Sequence, residues 1–126
     1  MKLLLDTHVV LWAFEDPMSV SAELREALRR RTWAAVSAAS LWEIAIKSAK
    51  GKLEAPDDLP TLLAGAEFEI LPVTARHAWA VRAAPAALRT ADPFDRLIYT
   101  QATLEGLTLA TRDDALLRSG LDVLKA

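Results

Sequence analysis

Four short apolar runs, each too brief for a helix and each separated from the next by helically patterned sequence, constrain this chain more than any other feature. They cover residues 2–5, 33–36, 68–71 and 107–110; the first is followed at once by Asp6 and the third is closed by Pro72. Apolar side chains at consecutive positions bury both faces of a strand, which is the pattern of a parallel sheet covered on two sides.

The intervening segments read as helices. One begins near Thr7 and runs to about Phe14, where Asp16-Pro17 breaks it. Ser19 or Ser21 caps a second helix, which runs through Arg31 with Leu24 and Leu28 on one face. A third spans about residues 40–50, with Gly51 just past its end. Pro56-Asp57-Asp58 opens a fourth with Leu59, Leu62 and Leu63 as its apolar set, and Thr74 caps a fifth over residues 75–83 that Pro85 halts. Asp92-Pro93 is an N-cap followed by proline at the first helical position, and that helix runs to Glu105 before Gly106. A short helix over 113–118 and an edge strand over 122–124 complete the chain. Alternating strands and helices call for right-handed crossovers, hence an α/β fold of three layers (α/β/α) around a central, mostly parallel sheet.

With 126 residues, 52% of them hydrophobic, the chain is expected to form one domain over residues 1–126. No stretch approaches a membrane span, and the apolar start is too short for a signal peptide before Asp6, so a cytoplasmic protein with no membrane partner is expected. The chain has no cysteine, which excludes disulfide scaffolds and thiolate metal sites. Its net charge of −2 excludes a grip on nucleic acid by overall charge alone.

In an open parallel sheet, ligands sit beyond the carboxyl ends of the strands, where strand order reverses. Asp6 follows the first strand and Asp113 the fourth; Glu43 lies early in the third helix, and Asp92 and Asp95 in the first turn of the helix before strand four. Each has a plain structural reading as a helix cap or first-turn acid, Glu43 through a capping box with Ser40. Yet Ser40, Glu43, Lys47 and Lys50 form one polar stripe among apolar neighbours, with Lys47 placed either to pair with Glu43 or to meet a phosphate. Carboxylates gathered in one pocket repel one another, and a hard divalent cation resolves the conflict. Held so, Mg²⁺ orients and activates a water and neutralises phosphodiester charge. With only His8 and His77 beside these acids, Zn²⁺ does not fit.

The segments Leu4-Leu5-Asp6-Thr7-His8, Ser40-Leu41-Trp42-Glu43-Ile44-Ala45-Ile46-Lys47, Gly51-Lys52-Leu53, Asp92-Pro93-Phe94-Asp95-Arg96-Leu97 and Leu109-Ala110-Thr111-Arg112-Asp113 occur in that order. In these the chain resembles the PIN-domain family, and specifically VapC-like ribonuclease toxins of type II toxin–antitoxin pairs. The resemblance implies a Mg²⁺- or Mn²⁺-dependent ribonuclease with Asp6, Glu43, Asp95 and Asp113 as catalytic, metal-holding acids. It implies that Thr7, Ser40, Asp92 and Thr111 orient those acids or their waters, with RNA as substrate, a homodimer, and a cognate antitoxin as partner. One departure is Thr90, where related segments often carry His.

Lys47, Arg96 and Arg112 are candidates to grip the RNA backbone, Arg96 having an ion pair with Asp95 as its structural alternative. Trp12, Trp33, Trp42 and Trp79 read as core or interface residues, and His8 and His77 as packed or capping ones. The competing functions are a receiver-like Mg²⁺-binding module and a PIN-like domain without activity. A receiver needs paired acids after strand one and an acid after strand three; here Asp6 stands alone and the third strand ends in Leu71-Pro72-Val73-Thr74.

Overall fold

The computed structural model describes residues 1–88 and 92–126. Strands Leu3–Leu5 (β1), Ala34–Ser37 (β2), Glu69–Leu71 (β3), Thr108–Thr111 (β4) and Val123–Lys125 (β5) pair in parallel throughout, in the order β3-β2-β1-β4-β5. The α-helices among the described residues are Thr7–Glu15 (α1), Ala22–Arg29 (α2), Ala38–Ala49 (α3), Leu59–Gly65 (α4), Ala75–Ala80 (α5), Pro93–Glu105 (α6) and Asp114–Leu117 (α7). The expected three-layer α/β/α architecture is therefore the observed one.

The central strand shows why three layers form. Leu3, Leu4 and Leu5 are all inaccessible to solvent, and their side chains alternate between two cores. Leu3 and Leu5 join Val9, Val10, Leu24, Ile44 and Leu63 from α1–α4 on one side. Leu4 joins Ile98 and Ala102 of α6 and Leu116 of α7 on the other. Full burial of each such leucine contributes about 1.5–3 kcal/mol. Only a sheet covered on both faces uses three consecutive leucines in this way.

Strand order places the site. The chain steps outward from β1 to β2 and β3, then returns to the far side of β1 to lay down β4 and β5. The reversal lies between β1 and β4, where Leu5 pairs with Ala110 and the Asp6 amide donates to the Ala110 carbonyl at 2.9 Å. The residues leaving these strands, Asp6 and Thr111 onward, open a crevice at their carboxyl ends.

Several helix boundaries differ from the sequence expectation, and for the second, third and fifth helices a local reason is visible. The third helix begins at Ala38, because Ser37 and not Ser40 is its N-cap, its hydroxyl accepting from the Ala39 amide at 3.0 Å. The second is capped by Ser21 and stops at Arg29; Arg31 turns left-handed with φ 58°. The fifth is α-helical only to Ala80 and tightens to a 3₁₀ turn over Val81–Ala83, since Pro85 forces extended backbone at Ala84 (φ −57°, ψ 143°). In contrast, α6 has the expected bounds, with Asp92 as N-cap and Gly106 left-handed at φ 66°.

Candidate active site

Three of the acids are held by the caps they form. The Asp6 carboxylate accepts from the Thr7 amide at 2.8 Å through Oδ1 and from the Thr111 hydroxyl at 2.8 Å through Oδ2. Asp113 Oδ1 accepts from the Leu116 amide at 3.0 Å and caps α7; Asp92 Oδ1 accepts from the Phe94 amide at 2.7 Å and caps α6. Asp95 stands in the first turn of α6 behind Pro93. Thr111, fully buried, also accepts from the Asp113 amide at 3.0 Å, so a single hydroxyl ties the acid after β1 to the acid after β4.

Glu43 is different. With Ser37 as the cap, Glu43 lies well inside α3 and takes no part in a capping box, which corrects the structural reading of Ser40 and Glu43. It is 5% exposed; Oε2 accepts from Lys47 Nζ at 2.7 Å, and Oε1 is shut off from solvent with no partner. Ser40 is buried and accepts from the Thr7 hydroxyl at 2.9 Å, tying the first turn of α1 to α3 behind the acids.

All five acids, Asp6, Glu43, Asp92, Asp95 and Asp113, line one cleft of roughly 300 Å³. Its electrostatics follow from that crowding. Burial, then the negative fields of Asp6, Asp92, Asp113 and Glu43, push the Asp95 carboxyl up to about 7. Burial also raises Asp6, against the lowering effect of its bonds from Thr111 and Thr7. Lys47 is raised, chiefly by its hydrogen bond to Glu43. The negative charge is thus only partly compensated by the protein's own cations.

An all-oxygen donor set, an orphaned buried Glu43 oxygen and a carboxyl driven towards neutrality are what a hard divalent cation relieves. Among the described residues, no three carboxylates already converge as ligands of one ion. Mg²⁺ commonly takes one or two carboxylates directly and keeps several waters for the rest to hold, so the spread of acids around the cleft still suits it.

The cleft's other walls include His8, Trp12, Lys47 and Arg112. Lys47 pairs with Glu43, the first of the two partners the sequence allowed it. Arg112 lays its guanidinium over the Trp12 ring at 4.2 Å while its Nε donates to the Ala126 carbonyl. Arg96 makes no ion pair among the described residues, so the expected alternative with Asp95 is not formed; its Nε is buried without a partner. His8 is exposed on the cleft's rim beside Trp12 rather than packed or capping. Of the four tryptophans, Trp12 packs partly against the core, whereas Trp33, Trp42 and Trp79 are exposed. Thr90 lies outside the described residues.

Sequence reasoning missed a buried polar chain behind the site. Gln101, wholly buried, accepts from the Ser37 hydroxyl at 2.5 Å and donates through Nε2 to the Pro72 carbonyl at 3.2 Å. It also lies 3.3 Å from His77 Nδ1, which accepts from the Thr74 amide, while His77 Nε2 meets Glu105 at 2.7 Å. This chain joins the start of α3, which carries Glu43, to the middle of α6, which carries Asp95. The available signal was a glutamine at the helical spacing of Ile98, Ala102 and Glu105, on the apolar side of α6.

The sequence profile of the PIN domain family matches residues 3–120. The chain belongs to the PIN-domain family. Ribonuclease VapC22 of Mycobacterium tuberculosis (strain ATCC 25618 / H37Rv) is 30% identical to it over 120 residues, covering 88% of this chain and 86% of that protein. Among solved structures, DNA-bound VapBC from Salmonella typhimurium superposes with a TM-score of 0.73 at 21% identity, covering 98% of this chain and 97% of the other. VapBC2 from Rickettsia felis bound to a promoter DNA fragment gives 0.73 at 20% identity, with 98% of both chains covered. These last two likenesses bear on the fold. Membership of the PIN family removes the receiver-like reading, and no helix among the described residues of this PIN domain is long and apolar enough to cross a membrane.

Proposed function

We propose that this PIN domain is a metal-dependent endoribonuclease, acting in the cytoplasm as the toxin of a toxin–antitoxin pair, with RNA as substrate. The observation that carries the reading is the cleft in which Asp6, Glu43, Asp92, Asp95 and Asp113 meet, with Glu43 Oε1 bare and Asp95 raised to about 7. The 30% identity to a protein named as a ribonuclease supports the substrate class.

Asp6, Glu43, Asp95 and Asp113 would hold Mg²⁺ or Mn²⁺, directly or through water. When bound, the ion supplies positive charge that makes water a better nucleophile and offsets charge on the phosphodiester. The chain's own residues do the rest. Thr111 and the Thr7 amide fix the Asp6 carboxylate, and the Thr7–Ser40 hydroxyl pair keeps α1 and α3 in register. Asp92 holds the first turn of α6, and so the Asp95 backbone, in place. Lys47, held at the cleft by Glu43, and Arg112 offer positive charge there to a backbone phosphate. An antitoxin that covers the cleft belongs to the same proposal, supported by a solved toxin–antitoxin complex of like fold from Klebsiella pneumoniae; the homodimer is proposed on the family resemblance alone.

The test is purified, antitoxin-free protein incubated with total RNA in Mg²⁺ or in EDTA, beside Asp6→Asn. Cutting in Mg²⁺ alone, and only by the wild type, is expected. Equal cutting in every arm, or none in any, sinks the reading.

A further inference from the structure

A second hollow, of roughly 400 Å³, meets the first turn of α6 at Arg96 and is walled also by Ala78, Trp79, Val81, Arg82 and Ala84. Trp79 is 68% exposed and belongs to neither core, so its ring is not there to fill the interior. The Arg82 guanidinium lies over that ring at 4.3 Å. Stacking of this kind occupies the face of the guanidinium and leaves its N–H edge free for an acceptor. Arg96 faces the same space with a buried Nε that has no acceptor, and buried donors of a charged group are rarely left so. Among the described residues, neither arginine is paired with a carboxylate. In a chain of net charge −2, two guanidinium groups without a carboxylate among the described residues, beside an exposed indole, form a local exception to the overall charge.

We propose that this hollow is a second contact for single-stranded RNA, with a backbone phosphate between Arg82 and Arg96 and a base against Trp79. The inference rests on the ribonuclease reading and extends it. Arg96 directly follows Asp95, so the same helical turn serves the acid cleft with one residue and the hollow with the next. A strand whose scissile phosphate lies at the acids thus has a route over the start of α6 into the hollow. Phosphate and base together match an arginine pair with an aromatic plane, the general form of sequence-tolerant single-strand binding. An acidic peptide would use the arginines and leave the indole unexplained.

The test measures anisotropy of a fluorescein-labelled, single-stranded oligoribonucleotide of mixed sequence, in Mg²⁺, on the cleavage-silent Asp6→Asn protein. Trp79→Ala and Arg82→Ala change exposed residues and keep the fold. Trp79→Ala is expected to weaken binding by about tenfold, the usual effect of losing one stacked base. Arg82→Ala is expected to weaken it by about threefold and to make the slope of log affinity against log salt shallower by about 0.7. Unchanged affinity in both variants, or no binding by the Asp6→Asn protein, overturns the proposal. It is equally overturned if Arg82→Ala weakens binding of a poly-glutamate peptide and leaves RNA untouched. Cleavage of the same oligonucleotide by the wild-type protein reports separately on the ribonuclease reading. Trp79-dependent binding without cleavage removes that reading and keeps the subsite; cleavage without any Trp79 or Arg82 effect does the reverse.

Discussion

Replacing Asp95 by Asn should stabilise the protein in the absence of divalent cations, an unusual result for a residue in an active site. The folded state holds the Asp95 proton up to about pH 7, against 3.8 for the free carboxyl. Between those values the folded protein binds more protons than the unfolded chain, so stability falls as pH rises and the penalty is complete above pH 7. Taken at face value the difference is worth at most about 4 kcal/mol. Asp95 is only half-buried, and solvent screening reduces this to about 1–2 kcal/mol. Asp95→Asn removes the penalty. Urea denaturation in EDTA at pH 5 and pH 8 should therefore show the variant gaining on the wild type as pH rises. Added Mg²⁺ stabilises whichever protein binds it, by about 2.7 kcal/mol at a hundredfold excess over Kd. It should restore the wild type and leave the variant behind. A variant less stable than the wild type in EDTA at pH 8 would refute the claim that charge crowding dominates this cleft.

Gln101→Leu leaves the buried Ser37 hydroxyl without its acceptor and should cost about 1–3 kcal/mol in urea denaturation. Gly106→Ala meets no atom within 4 Å, so its cost of about 1 kcal/mol, read as a lowered Tm, should come from the left-handed backbone at φ 66° alone.

The parts of the fold that were legible are those where local chemistry decides. Leu3-Leu4-Leu5 has no reasonable home except a strand covered on both faces, and Asp92-Pro93 with Gly106 brackets one helix to the residue. The start of α3 was not legible, because Ser37 and Ser40 are both competent caps. What decides is that Ser37 still pairs with Leu71 as the last residue of β2. The buried chain through Gln101 was hidden for a similar reason: its partners Ser37 and Pro72 are 64 and 29 residues away. Of the two places expected for Trp79, core or interface, the core is ruled out, because the short α5 and the turn imposed by Pro85 leave its ring outside it. Asp6, Asp92, Asp95 and Asp113 were legible by position, at the ends of β1 and β4 and the start of α6, whereas Glu43 reaches the same cleft from further inside α3 than its expected place near the helix start.

For Asp6 and Asp113, two of the acids proposed to hold the metal, a cap and a chemical role are compatible. Asp6, Asp92 and Asp113 each accept a backbone N–H with one carboxylate oxygen, which locks the side chain's rotamer. The cap is what aims the acid. Asp113 offers a clean separation of the two effects, because asparagine caps a helix as well as aspartate does, whereas alanine does not. Asp113→Asn keeps the bond to the Leu116 amide and removes the charge; Asp113→Ala removes both. In EDTA the asparagine variant should be at least as stable as the wild type, since Asp113 adds to the crowding on Asp95 and Asp6, and the alanine variant should be about 1 kcal/mol less stable than the asparagine variant. Metal-dependent cleavage, in contrast, should fall at least a hundredfold in both. Full activity in Asp113→Asn would mean that the cap alone matters, and would remove Asp113 from the set of acids that serve the metal.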